Sequence, residues 1–229
     1  CSEPESSPGQ RCQCKSFWLY VLLTIRLHYS VEIPQLRAEP NPLAGKRVLL
    51  HICCAPCATY TLARLREQGA RVTGHWYNPN VQPFSEHERR RESLVQYARE
   101  VQLPVIWEPG YEMPRFLRAI CGHERFGERC AICYRLRLGR AAQVAAEKGY
   151  DLFTTTLLIS PYQEQAAIRR IGEALSRKHG PGFYFENFRR GYAEHHRLAR
   201  EHGLYMQRYC GCVYSEWEAL DPTAWTHPR

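Results

Sequence analysis

Apolar positions along the chain fall into short runs separated by stretches of helical spacing. Residues 48–52 (VLLHI) form a short apolar run of strand character that ends in a group of cysteines. Residues 59–68 follow with helical spacing, Leu62 and Leu65 on one face, and Gly69 as a stop. A second strand is predicted over 72–77, then a turn at Asn78-Pro79-Asn80. Ser85 lies three residues before Glu88, a capping-box pattern that opens a helix running to about Val101. Residues 105–107 form a third short strand and residues 152–156 a fourth. Helical segments are predicted over 130–148, 162–178 and 192–202, closed by Gly149, by Gly180-Pro181 and by Gly203. Strands alternating with helices imply an α/β fold, a parallel sheet flanked by helices with a largely helical C-terminal half. In such sheets ligands bind beyond the C-terminal ends of the strands. The first cysteine group, the Asn78-Pro79-Asn80 turn and the threonine-rich segment at 154–156 all fall at such ends, which predicts one shared site.

Before residue 46 the pattern differs. Residues 17–25 (FWLYVLLTI) are apolar, but this run is far shorter than the about 20 residues a membrane span needs. Arg11 and Lys15 precede it, yet no small-residue cleavage site follows, so residues 1–45 are expected to be a disordered or mis-called leader rather than a signal. Cys1, Cys12 and Cys14 lie there and receive no role. Residues 38–45 (AEPNPLAG) have linker composition. The expected organisation is one catalytic domain over 46–220 and a tail over 221–229, which suits a chain of 229 residues.

With 44% hydrophobic and 24% charged residues the chain has the composition of an ordinary globular domain, with no expected association with a membrane. A net charge of +8 favours polyanionic partners such as RNA. The eleven cysteines are the departure from the ordinary. Small secreted proteins use so many as cross-links, but here they cluster locally: Cys53, Cys54 and Cys57; Cys130 and Cys133; Cys210 and Cys212. Near-adjacent thiols suit a metal or a redox pair and imply a reducing compartment, the cytoplasm. Cys53 and Cys54 follow a strand, where a loop lets both turn to one centre. Cys130-Ala131-Ile132-Cys133 opens a helix, whose N-terminus is expected to lower the thiol pKa values. Two plus two cysteines match a [4Fe–4S] cluster or a structural zinc, and spacing alone leaves both open beside free thiols. Cys210-Gly211-Cys212 is a C-x-C that can close a small, easily reduced ring, or add a further pair of metal ligands. Cys121 stands alone, as expected of a small buried hydrophobe.

Taken in order, these groups resemble the QueH family of epoxyqueuosine reductases. The resemblance lies in residues 50–57 (LHICCAPC), 77–80 (YNPN), 129–137 (RCAICYRLR), 153–163 (FTTTLLISPYQ) and 209–212 (YCGC), within about 46–216. It implies a nucleotide-hydrolase-like layered sheet and a [4Fe–4S] cluster held by Cys53, Cys54, Cys130 and Cys133. It further implies a redox-active disulfide between Cys210 and Cys212. The implied reaction removes the epoxide oxygen of epoxyqueuosine at the tRNA wobble position to give queuosine, with an unidentified electron donor. Cys57 lies outside that ligand set and is a candidate for a second, mononuclear metal.

Removing an epoxide oxygen as water takes two electrons and two protons, and ordinary side chains supply no electrons. The dithiol of Cys210 and Cys212 is a store for both. His51, Tyr77 and Tyr162 are candidate proton donors, with packing or base stacking as the plain alternatives. Asn78, Asn80, Thr154 and Thr155 offer amides and hydroxyls to a splayed-out base, or simply turn and strand chemistry. Arg89-Arg90-Arg91 and Arg135, Arg137 and Arg140 are candidates for phosphate contacts, or for a solvated face. An ATP-dependent tRNA thiolase is disfavoured, because Cys53-Cys54-Ala55-Pro56 stands where a glycine-rich phosphate loop belongs. A zinc-stabilised RNA-binding module without catalysis is the rival of a different class.

Overall fold

The computed structural model describes residues 41–221, 223 and 224. The readings of the leader up to residue 40, of Cys1, Cys12 and Cys14, and of most of the tail fall outside the described residues.

A parallel sheet of five strands forms the centre, in the order β3-β2-β1-β4-β5. The strands are β1 (Arg47–His51), β2 (Arg71–Trp76), β3 (Val105–Trp107), β4 (Leu152–Thr155) and β5 (Gly182–Phe183). The helices are α1 (Ala55–Glu67), α2 (Phe84–Glu100), α3 (Met113–Ile120), α4 (Glu128–Glu147), α5 (Gln165–His179), α6 (Tyr192–Glu201) and α7 (Val213–Leu220). Short 3-10 turns cover Thr156–Ile159 and Phe188–Gly191. Residues 48–50 form a continuous apolar run because both faces of β1 are covered. Val48 and Leu50 join the large core with Leu62 and Leu65 of α1. Leu49 turns the other way, with Phe153, onto the small side chains Ala141, Ala142 and Ala145 of α4. Leu43, inside the segment of linker composition, is buried in the same core as Val48, and Asn41 Nδ2 donates to the Glu67 carbonyl at 2.9 Å.

Three local expectations are corrected. The helix after β2 starts at Phe84 behind Pro83, and no side chain caps it. Ser85 lies within its first turn, and Glu88 faces His87 and Arg91 instead of closing a capping box. The helix expected from Tyr162 begins at Gln165, because the chain first makes the 3-10 turn and then a loop that carries Tyr162 outward. Cys121 is exposed, not buried, since it ends α3 where Gly122 takes φ +80° and turns the chain away.

The register aligns the strand ends. His51 of β1 pairs with His75 of β2 on one side and Thr155 of β4 on the other. Everything just beyond these residues meets above the middle of the sheet.

Candidate metal and redox site

β1 delivers Cys53 and Cys54 onto that upper edge, and α1 starts immediately after them. Cys54 is the N-cap in extended conformation, and a proline in the first turn suits a helix start. The first turn brings Cys57 back to the same place. The sulfurs of Cys53, Cys54 and Cys57 all lie within 4.8 Å of one another, and those of Cys53 and Cys54 are 3.7 Å apart. Cys130 and Cys133, on the first two turns of α4, stand outside this trio. Their electrostatic neighbours are Cys210 and, for Cys133, Cys212 as well.

Polar side chains from several elements reach the sulfurs. Thr156 donates its hydroxyl to Cys53 Sγ at 3.1 Å and accepts from the Cys53 amide at 3.0 Å. Gln207 Nε2 lies 2.9 Å from Cys54 Sγ. Gln163 Nε2 lies 3.4 Å from Cys210 Sγ, while its Oε1 accepts the Tyr134 hydroxyl at 3.0 Å. Cys53 is held well below the ordinary thiol range, because the thiols of Cys54 and Cys57 hydrogen-bond to it, with Arg137 and Thr156 adding to the effect. Burial pushes Cys54 up, and the contacts of Cys57 with Cys53 and Cys54 push Cys57 up. The expectation for the C-x-x-C is reversed: burial pushes Cys130 and Cys133 up to about 12, outweighing the helix N-terminus. Buried thiols of this kind stay protonated until something displaces the proton, which is what a thiophilic metal does. The donor set therefore fits a sulfur-ligated metal, and the Cys53–Cys54–Cys57 trio can hold one.

Cys210 and Cys212 are both free thiols; Cys212 is buried, and Cys210 is an exposed residue whose sulfur is turned inward, where burial pushes its thiol up. Gly211 between them takes φ +148°, and a Cβ there would meet Asn80 Nδ2 at 3.0 Å and Val81 Cγ2 at 3.1 Å. Only glycine accommodates both conditions. The loop is clamped from α2: Arg90 donates to the carbonyls of Cys210 at 2.9 Å and Tyr209 at 3.1 Å. Arg90 is buried and pairs with the buried Glu86 at 2.7 Å. A Glu86→Gln protein is expected to lose about 3 kcal/mol of stability, since removing one partner leaves the other charge buried. Urea unfolding checks this, and a tryptic cut near residues 208–212 at low protease is expected to appear with it.

The arginines read as phosphate contacts divide accordingly. Arg90 and Arg137 are buried, Arg140 pairs with Glu108 at 2.9 Å, Arg91 leans on Trp107, and Arg89 contacts Tyr205. Arg135 is left exposed. Apart from Glu86 and Glu88, one turn away on α2, the partners Glu108, Trp107 and Tyr205 come from segments distant in the chain, which the local run of arginines does not reveal.

The remaining candidates also separate. Asn78 is engaged at both ends, giving Nδ2 to the Ile52 carbonyl at 2.9 Å and receiving Arg137 on Oδ1 at 2.6 Å. Thr155 Oγ1 lies 2.8 Å from His51 Nδ1 and accepts the Leu157 amide at 3.1 Å. Tyr77 gives its hydroxyl to Glu112 and accepts from Arg115. Asn80 Oδ1, Thr154 Oγ1 and Gln207 Oε1 are buried without a hydrogen-bond partner, so these acceptors remain available. Tyr162 is 72% exposed at the rim. His51 is not poised to give a proton. Arg137 Nε donates to its Nε2 at 3.3 Å, which places the ring proton on Nδ1 facing Thr155. Burial, then Arg137, holds it neutral well below the ordinary histidine range.

His75 is likewise fully buried, and burial lowers its pKa although Glu108 opposes the shift. The unfolded chain protonates its histidines near pH 6.5, before the folded rings do. The sign is therefore fixed: stability is complete above about pH 6.5 and falls as the medium is acidified. Each such ring contributes a slope of at most about 1.4 kcal/mol per pH unit. Urea midpoints between pH 8 and pH 5 are expected to decline, and less steeply in His75→Gln.

The sequence profile described as epoxyqueuosine reductase QueH matches residues 48–218, which covers the sheet and all the grouped cysteines. The chain belongs to the QueH family. A relative named epoxyqueuosine reductase QueH from Dehalococcoides mccartyi is 38% identical over 75% of this chain and 93% of its own. The one from Thermotoga maritima is 39% identical over 77% and 94%, and that from Streptococcus pyogenes 33% identical over 73% and 69%. The QueH family span thus begins inside β1 and ends inside α7, at the two ends of the sulfur site. Among the described residues, no helix is long and apolar enough to cross a membrane.

Proposed function

We propose that this protein is an iron–sulfur epoxyqueuosine reductase whose residues 46–220 form one catalytic unit acting on tRNA. The observation that supports the reading is the Cys53–Cys54–Cys57 trio beyond the end of β1, with Cys53, Cys133 and Cys210 all electrostatic partners of Arg137, within a chain of the QueH family. Cys53, Cys54, Cys130 and Cys133 would hold a [4Fe–4S] cluster. Cys57, in contact with two of those residues, supplies a thiolate for a second, mononuclear metal. When bound, such a centre supplies single electrons and a Lewis acid for the departing oxygen.

The chain's own part is balanced around Cys210 and Cys212. Two thiols joining as a disulfide release two electrons and two protons. An epoxide that becomes an alkene and water takes up the same two electrons and two protons. The exposed Cys210 faces substrate and the buried Cys212 closes the bond, with Arg90 and Gly211 fixing the loop. An external donor then reduces the pair for the next turnover. Thr154 and Asn80 offer acceptors to the modified base, and Tyr162 a ring at the rim. A thiol chemistry of this kind belongs in a reducing compartment, the cytoplasm.

The test is anaerobic purification, a visible spectrum, counts of iron, zinc and sulfide, and turnover of tRNA carrying epoxyqueuosine. About four irons and four sulfides per chain, a colour bleached by dithionite, and queuosine in the digested tRNA support the reading. Zinc alone after reconstitution with iron and sulfide, and no turnover, moves the protein to a zinc-stabilised RNA-binding module.

A further inference from the structure

Among the described residues three arginines are almost fully buried: Arg90, Arg129 and Arg137. Two have carboxylate partners, Glu86 for Arg90 and Glu218 for Arg129. Arg137 has none among its ion pairs and hydrogen bonds with described residues. Its guanidinium reaches His51 Nε2 at 3.3 Å, Asn78 Oδ1 at 2.6 Å and Cys133 Sγ at 3.8 Å. The first two are neutral, and a guanidinium keeps its charge in any protein interior. A buried cation with no anion is strongly unfavourable, and proteins keep such a charge where an anion faces it. The ionisable side chains that face Arg137 are thiols, Cys133, Cys53 and Cys210, one from each cysteine group, and a thiol becomes an anion when it binds a metal.

We propose that Arg137 is the built-in counter-ion of the thiolate-ligated centre, a positioning residue that sets how readily that centre accepts an electron. The inference rests on the iron–sulfur reading above. A centre held by four thiolates carries excess negative charge, and each added electron raises it. A fixed positive charge in a dry interior stabilises the reduced form more than the oxidised one. Placement on α4 four residues after Cys133 gives the guanidinium the same helix face as that thiol. Asn78, itself anchored to the Ile52 carbonyl, fixes the fork from the β2 side.

The test compares wild type, Arg137→Gln and Arg137→Lys, each reconstituted anaerobically, by iron and sulfide content, redox titration followed by visible and EPR spectra, and melting with and without the centre. Arg137→Gln is expected to keep its iron but be reduced at least tenfold less at the wild-type midpoint, a shift of about 59 mV for one electron. Arg137→Lys keeps the charge and is expected to recover most of that loss. Reconstitution is expected to raise the melting temperature less in Arg137→Gln than in wild type. If Arg137→Gln takes up no iron, uptake by Arg137→Lys supports the charge role, and failure of both overturns it in favour of a purely structural fork. An unchanged midpoint in an iron-replete Arg137→Gln overturns it as well. Wild type without iron overturns the iron–sulfur reading, and this inference with it, so the two failures are told apart by the wild-type arm.

Discussion

Cys54→Ser is expected to strip the protein of most of its metal and to bring turnover of epoxyqueuosine tRNA to background. Cys54 stands where β1 has just ended and α1 begins, so its sulfur is aimed by both elements. It is buried, touches Cys53 at 3.7 Å and is fixed by Gln207 at 2.9 Å. A serine hydroxyl is a poor ligand for a soft metal and does not ionise in a buried place. Outer partners of metal ligands alone cost about 10- to 100-fold in metal affinity, so losing the ligand itself costs at least about 100-fold. Cys57→Ala discriminates within the trio. With Cys57 serving a separate mononuclear ion, it is expected to lose about one metal per chain and retain sulfide, as a non-bridging ligand to one ion would. A Cys57→Ala protein with its full iron content would place that thiol outside metal binding. Metal and sulfide analysis of anaerobic samples reads both results, and circular dichroism shows whether the sheet survives.

How much of this was legible in the sequence follows from how local each cause is. Strand β1 is written in residues 48–50, apolar because both faces are covered, and the register at His51 then forces the cysteines and the Asn78-Pro79-Asn80 turn to one edge. The convergence of three segments was visible because α/β connectivity places strand ends together. The capping box was misleading because Ser85 and Glu88 match a pattern, whereas Pro83 already fixes where the chain can enter the helix. The acid–base behaviour of Cys130 and Cys133 was misjudged for a similar reason. Their helix position is local, but the burial that overrides it comes from elsewhere: Phe116 and Ile120 of α3 pack on Cys133, and Cys130 packs against the large core. Helix α3 is amphipathic, with Phe116 and Ile120 inward and Arg115 and Arg118 outward, but at eight residues it is shorter than the stretches over which periodicity is read.

The arginines mark the deepest gap between pattern and structure. In the sequence Arg89-Arg90-Arg91 is a basic run, and a basic run suggests phosphates. In the fold, Arg90 is interior and spans more than a hundred residues to hold the loop that carries Cys210. Arg137 is interior for another reason, as the charge set against the sulfurs. The clue available from sequence was the motif in which each sits, Arg137 four residues after Cys133, but a motif gives no partner. Arg90 is offset by Glu86 and leaves the net charge of +8 unchanged, whereas Arg137 counts toward that charge but is buried away from any tRNA phosphate.

Cys210→Ser and Cys212→Ser are expected to stop turnover without emptying the metal site, and this pattern separates the two halves of the proposed chemistry. Neither thiol is in the Cys53–Cys54–Cys57 trio, and the loop that bears them is anchored by protein contacts, from Arg90 to the carbonyls of Tyr209 and Cys210 and from the Tyr209 hydroxyl to the Gln82 carbonyl. A serine at either place removes the disulfide and with it the paired release of two electrons and two protons. The loss is expected to reach about 10²-fold or more, at least what a positioned proton-transferring group contributes. The two variants are not expected to behave alike toward an alkylating reagent. In Cys212→Ser the remaining Cys210 lies on an exposed loop and reacts the faster of the two, slowed below a free thiol because burial of its sulfur raises its pKa. In Cys210→Ser the remaining Cys212 is buried among Phe116, Ile120 and Cys133 and reacts slowly. Mass spectrometry after brief alkylation of the metal-loaded protein reads this difference, and metal counts on the same samples show whether the centre is intact. Loss of metal in both variants, at the level seen for Cys54→Ser, would make Cys210 and Cys212 ligands rather than a redox pair.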